Sequence, residues 1–213
     1  MALACGVTVF SGFAPSFYLR PAAMPALRPL VVAHGIVFTS WVLLFLAQTA
    51  LVAAGRSRLH AQLGLATVGV AVLIVASGPP MAISAARRGV LPGDPLAFLL
   101  VILADILGFA VFVAAGLYYR RRTELHKRLM FLATLNLLPA AISRWPIAVT
   151  FPPVILGVMA LFVAAMPAHD LLVRGRLHVV SLWAGLALLV SQPLRIAISH
   201  TDTWHCAATW LIR

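Results

Sequence analysis

The chain has 213 residues, of which 62% are hydrophobic and 10% charged, with sixteen Lys plus Arg against five Asp plus Glu and a formal net charge of +11. Soluble domains carry about a quarter charged residues, so this composition excludes an ordinary water-soluble globule and predicts an all-α integral membrane bundle whose partner is the lipid bilayer. The basic excess does not call for nucleic acid: fifteen of the sixteen cations are Arg, and most sit in short turns beside apolar runs, where inside-facing loops gather positive charge.

In chain order, seven spans are predicted within one domain covering residues 1–213. The first helix, about residues 2–18, is interrupted by Pro15 and barely long enough to cross at about 1.5 Å per residue. No Lys or Arg precedes its apolar stretch and no cleavage signature follows, so it reads as a helix with a short or missing cytoplasmic lead-in, not as a signal peptide. Pro21, Pro25 and Pro29 then break any helix. The second helix runs from about Leu30 to Gly55, where a left-handed C-cap is expected, and the third from Leu59 to Gly78, stopping at Pro79-Pro80. After a loop with Arg87, Arg88 and Asp94 come a fourth helix, Pro95 to Tyr119, and a fifth, Leu125 to Thr150, kinked at Pro139. A sixth, Pro153 to Leu172, and a seventh, Leu177 to His200, complete the set, and the tail to Arg213 is too short to cross. The architecture expected is a leading helix plus three hairpins, about 30–79, 95–150 and 153–200.

The hairpin tips share a pattern. Arg56-Ser57-Arg58-Leu59-His60, Arg122-Thr123-Glu124-Leu125-His126 and Arg174-Gly175-Arg176-Leu177-His178 each read Arg-x-x-Leu-His between two apolar runs. Their turns hold Arg56, Arg58, Arg120, Arg121, Arg122, Lys127, Arg128, Arg174 and Arg176, nine cations against Arg20, Arg28, Arg87 and Arg88 on the opposite loops. That bias places the tips in the cytoplasm, the N-terminus inside and the C-terminus outside. A weaker echo, Leu51-Val52-Ala53-Ala54-Gly55 against Phe112-Val113-Ala114-Ala115-Gly116, is consistent with divergent hairpin repeats.

His60, His126 and His178 each occupy the first turn of an outward-running helix, hence one depth near the cytoplasmic face. Bundles build metal and cofactor sites from side chains at one level, and paired imidazoles from two helices ligate a b-type haem. Haem iron held by two of these three is therefore the cofactor expectation. The competing expectation is interfacial histidines that hydrogen-bond lipid headgroups. On the second helix His34, Trp41 and Gln48 are spaced by seven and form one stripe facing the bundle. His126 and Arg144, eighteen residues apart, fall on one face of a continuous fifth helix. The seventh helix carries Ser181, Gly185, Leu188, Gln192, Arg195 and Ser199 on one face. Arg144 and Arg195 near the outer boundary read either as an anion or propionate clamp or as snorkelling cations.

Asp105 reads as the only acid well inside a span, so it is expected to be protonated or paired, most simply with Arg144 or Arg195. Together with Gln48 and Gln192 these residues outline a polar cavity in which Asp105 serves as a coupling site, or else a structural ion pair. Trp204-His205-Cys206 is a weak metal signal, and Cys5 and Cys206 fall at opposite faces, where no intramolecular disulfide forms. There is no Walker loop, dinucleotide fingerprint, H-E-x-x-H or Ser-His-Asp arrangement, and whether the chain is an enzyme stays open.

The run His34-Gly35, Gln48, Leu59-His60-Ala61-Gln62-Leu63-Gly64, Leu125-His126-Lys127-Arg128-Leu129-Met130 and the later Arg144 resembles a group of bacterial multi-pass membrane proteins of no settled activity. Their His-bearing four-helix core is loosely similar to b-type membrane cytochromes and to predicted oxidase-associated membrane proteins. The resemblance covers about residues 30–148 and implies a bacterial inner-membrane location, with His34, His60, His126 and Arg144 as the positions that matter. One departure stands out: such cytochromes keep histidine pairs inside the spans at matching depths, whereas His34 has no partner in view except His200. Three functions stay open: a redox-associated protein binding haem b, with a redox partner or a second copy of itself; a small-molecule or proton-coupled transporter using Asp105; and a non-catalytic assembly or scaffold protein.

Overall fold

Apolar runs of this length can satisfy their backbone groups in hydrocarbon only as helices, and the computed structural model, which describes residues 1–213, contains helices and no strands. The elements are α1 (Ala2–Phe13, extended by a π-helical turn Ala14–Tyr18), α2 (Pro29–Ala53), α3 (Ser57–Arg87), α4 (Pro95–Tyr118), α5 (Thr123–Asn136), α6 (Pro139–Ile142), α7 (Pro146–Thr150), α8 (Pro153–Arg174), a π-helical turn Val180–Ala184 leading into α9 (Gly185–Ser199), and α10 (Asp202–Leu211). Five segments are long and apolar enough to cross a membrane: α2, α3, α4, α8 and Val180–Ser199. The first of the seven expected spans is a shorter apolar helix, Ala2–Tyr18, and the fifth is not a continuous helix.

That fifth segment is the centre of the molecule. In α5 the run Phe131–Asn136 is buried together with Arg128 and Leu129, and α1, α4, α9 and the second π-helical turn all pack against it. The kink expected at Pro139 is a break. Leu137 and Leu138 donate to Thr134 and Leu135, three residues back, and Pro139 has no N–H with which to resume the ladder. A second break falls at Trp145, whose extended backbone (ψ 139) is the conformation that a following proline imposes. The single face on which His126 and Arg144 were expected to align therefore does not exist.

Helix α3 departs in the opposite sense. It was expected to stop at Pro79-Pro80 but runs through both for 31 residues. Packing carries it on: Ala82 and Ala86 join Leu99 and Ala208 in a small second core, and Arg87 Nε donates to the Ile212 carbonyl at 2.7 Å. The tail that closes this core is itself the helix α10, held down by Trp204 Nε1 donating to the Leu96 carbonyl at 2.7 Å and by a 3.1 Å contact between His205 and the carboxylate of Asp94. Asp94 also caps α4, accepting from the N–H groups of Leu96 and Ala97.

Consecutive helices α2 and α3, and α4 and α5, pack as hairpins, and α3–α4, α4–α9 and α8–α9 join them. Two of the basic tips turn on glycines in the left-handed region, Gly55 (φ +70) and Gly175 (φ +66), where a side chain would be strained. Close approach fixes another: a Cβ on Gly12 would sit 2.2 Å from the Ala141 carbonyl oxygen, so α1 touches α6 backbone to backbone.

Candidate functional site

At the basic end of the bundle the structure brings together two of the three expected histidines. His60 and His126 enter the first turns of α3 and α5 by the same step, their N–H groups donating to the carbonyls of Arg56 and Arg122 at 3.0 Å. Their ring centroids lie 6.2 Å apart with the planes at 81°. His126 Nδ1 is 2.8 Å from the Gly116 carbonyl. A carbonyl only accepts, so Nδ1 carries the proton and Nε2 keeps its lone pair free. The Nδ1 of His60 is buried with no hydrogen-bond partner.

His178 is chemically different. Its Nδ1 accepts from the backbone N–H of Val180 at 3.2 Å, which assigns the neutral ring's proton to Nε2 and leaves no lone pair for a metal. Burial, followed by the nearby Arg128 charge, pushes its pKa down, with Asp170 and Glu124 pulling the other way. No group of three or more His, Cys, Asp or Glu side chains is arranged to hold a metal ion. The expected ligand trio is thus reduced to the pair His60 and His126.

His178 sits instead beside an ion-pair network. Arg128, 5% exposed, donates from Nη2 to Asp170, from Nε to Ser181 Oγ at 2.8 Å and from Nη1 to the Glu124 carbonyl at 2.8 Å and the Glu124 carboxylate. Glu124 also pairs with Lys127 at 3.0 Å and with Arg174. Burial alone would raise the Glu124 pKa, but hydrogen bonds from Arg128 and Lys127 and the charges of Lys127 and Arg174 outweigh it and hold the carboxyl at about 2. Sequence reasoning missed this cluster, taking Arg128 as topology charge and Asp105 as the only intramembrane acid. Asp170, on α8 and 1% exposed, is a second. The available signal was scarcity: with five acids in the chain, one lying four residues before Arg174 on a spanning helix calls for a cation.

Deeper in the bundle Asp105 of α4 is paired with Arg195 of α9, which answers the choice left open between Arg195 and Arg144. Arg195 Nη2 also donates to Asn136 Oδ1 at 3.2 Å, and Asn136 Nδ2 donates to the Asp105 carbonyl. Asn136 was not singled out from sequence. It lies against Gly108, where an added Cβ would come within 2.8 Å of its amide nitrogen, so the small residue makes room for the amide. One carboxylate, one guanidinium and one amide thus tie α4, α5 and α9.

The remaining expected site residues do not converge on Asp105. Gln48 of the α2 stripe is buried, donating to Thr67 Oγ1 of α3 at 3.1 Å, and Trp41, 1% exposed, reaches Thr134 Oγ1 at 3.3 Å. The stripe does face the bundle. His34 is half-buried against Phe38, with centroids 4.4 Å apart and Nδ1 unpartnered. Arg144 lies over the Phe13 ring at 4.3 Å and donates to the Ala140 carbonyl, and no carboxylate lies within ion-pairing distance. Gln192 Nε2 is buried without a partner. His205 is engaged with Asp94, and Cys5 and Cys206 are free thiols, one buried and one exposed. Two clefts lie elsewhere, one lined by Tyr118, Tyr119, Arg121 and Arg122 and the other by Leu51, Leu59, Gln62, Leu63 and Ala66.

No family model, no curated protein and no solved structure matches this chain.

Proposed function

We propose that the chain is a redox-associated protein of the bacterial inner membrane that binds a b-type haem at its cytoplasmic, basic face, where His60 and His126 would hold the iron. The observation that carries this is the spacing of the imidazoles. With metal–nitrogen bonds of about 2 Å, two imidazoles on opposite sides of one metal stand with centroids about 6 Å apart, and His60 and His126 are 6.2 Å apart. The second support is the Gly116 carbonyl, which holds His126 in the tautomer whose Nε2 can ligate, the role that outer partners play for ligating histidines. A third is an apolar wall: a cleft of about 430 Å³ lined by Leu51, Leu59, Gln62, Leu63 and Ala66 opens within one turn of His60. When bound, haem would supply a one-electron couple; the chain's own contribution is to position two imidazoles beside a face of fixed positive charge.

In this reading the chain crosses seven times, the first crossing by Ala2–Tyr18 and the fifth by the broken path α5–α6–α7, with the N-terminus inside. The transporter alternative needs Asp105 free to exchange protons or ions. Its closure by Arg195 and Asn136 favours a helix clamp instead. The test is spectroscopic: protein purified in detergent and supplemented with haemin should show a Soret band that is lost in the His60→Ala/His126→Ala double variant and kept in His178→Ala. A missing band, or one indifferent to the double substitution, rejects the assignment.

A further inference from the structure

The nine cations of the basic face are not equivalent. Lys127, Arg128 and Arg174 are neutralised by Glu124 and Asp170, whereas Arg56, Arg58, Arg120, Arg121, Arg122 and Arg176 meet no acid. Among these six, Arg121 and Arg122 line a cleft of about 360 Å³, with Tyr118 and Tyr119 as its other walls. Arg120 turns away, its Nη1 donating to the Leu117 carbonyl at the end of α4. Arg122 lies over the Tyr119 ring at 5.8 Å, a stacking that steers the guanidinium while leaving its N–H groups unspent.

The cleft stands where α4 leaves the apolar layer. Paired tyrosines at the end of a span mark the headgroup level, where an apolar ring meets water. Tyr118 is 78% exposed there, so the cleft has an aromatic flank open to the side as well as a cationic floor. Two guanidinium forks free of internal acids are the donor set for a phosphate, which they bind bidentately. The exposed ring beside them suits the glycerol and first acyl carbons that follow a lipid phosphate and has no counterpart in free phosphate.

We infer that Tyr118, Tyr119, Arg121 and Arg122 form a binding site for the phosphate headgroup of an anionic phospholipid, independent of the haem reading and distinct from the general attraction of a basic face for an acidic bilayer.

The test separates a site from a field. The full chain is reconstituted in nanodiscs of phosphatidylcholine with about one-fifth phosphatidylglycerol, and retained lipid is counted by native mass spectrometry after release. Arg121→Gln/Arg122→Gln should reduce retained phosphatidylglycerol at least about fivefold, and Arg56→Gln/Arg58→Gln, which removes the same charge from the same face, less than about twofold. All four side chains are exposed, and circular dichroism checks that each variant stays helical. Equal losses in the two variants would overturn the site in favour of the field. In discs of phosphatidylcholine alone, binding of inorganic phosphate that depends on Arg121 and Arg122 as strongly would reassign it to free phosphate and overturn the lipid.

Discussion

Two histidines at the basic face, His126 and His178, follow the same Arg-x-x-Leu step and end in opposite chemical states. His126 enters a regular α-helical turn, meets a carbonyl from the neighbouring helix and keeps a free lone pair at Nε2. His178 precedes a π-helical turn, accepts a backbone N–H at Nδ1 and stands beside a guanidinium. What differs is the neighbour. The second turn faces the carbonyl of Gly116, and the third faces the Arg128–Asp170 pair, so one ring keeps a lone pair free at Nε2 while the other stands beside a fastening between α5, α8 and the start of α9. Equal motifs in a membrane bundle therefore need not be equal sites.

The largest effect that bears on this contrast comes from the fastening. Arg128→Met would leave Asp170, 1% exposed, without its cation, and breaking one side of a buried pair costs about 3–5 kcal/mol. The double change Arg128→Met with Asp170→Leu removes both charges and should recover most of that loss, as apolar replacements of buried pairs do. Unfolding of the purified protein by increasing dodecyl sulfate in mixed micelles measures both. A single variant as stable as the parent would mean that charge does not hold the third turn, and the contrast with the second would lose its cause.

Much of the fold was legible because membrane physics constrains it strongly: long apolar runs must be helical, and five of them form helices long and apolar enough to cross a membrane. What escaped was what tertiary packing decides. Pro79-Pro80 are a reasonable stop signal, but Ala82 and Ala86 bury themselves against Leu99 and Ala208, and α3 continues. Pro139 announced a kink, and it took Pro146 and the close packing of α1 on α6 to make two breaks in the fifth segment. The same limit governed the sites. His60 and His126 were singled out by the repeated Arg-x-x-Leu-His step, and Asp105 and Arg195 because a polar group in hydrocarbon is conspicuous. Asp170 and Asn136 were passed over, one near a helix end where an acid looks solvated, the other a neutral amide whose value lies in bridging Arg195 to the Asp105 carbonyl.

A smaller effect sharpens the contrast through pH. Glu124 is held at about 2 against an ordinary 4.5 because Arg128, Lys127 and Arg174 favour its charged form over the opposing cost of burial. A depressed carboxyl pKa contributes stability that is present above about 4.5 and is lost as pH falls through the range down to about 2. Glu124 is 38% exposed, so solvent and salt reduce the contribution. Acid titration of unfolding at low ionic strength should show this loss in the parent, less of it at high salt, and a flatter profile in Glu124→Gln. A profile unchanged by Glu124→Gln would place Glu124 outside the third-turn network.

The smallest effect is the most direct, because it reads the contrast itself. The tautomers of His126 and His178 are set by single hydrogen bonds, each contributing on the order of 1 kcal/mol. Protein labelled with ¹⁵N histidine at a pH where both rings are neutral should give a protonated Nδ1 and bare Nε2 for His126, and the reverse for His178. Single His→Gln variants assign the signals. If His178 also shows a bare Nε2, it re-enters the candidate ligand set with His60 and His126, and three equal turns would again mean three equal sites. If His126 shows a protonated Nε2, the Gly116 carbonyl is not its partner in solution, and the proposed role of His126 toward the iron loses its tautomer argument while the 6.2 Å spacing remains. Opposite tautomers in the two rings would establish that neighbouring backbone, and not the motif, decides which histidine is available to a metal.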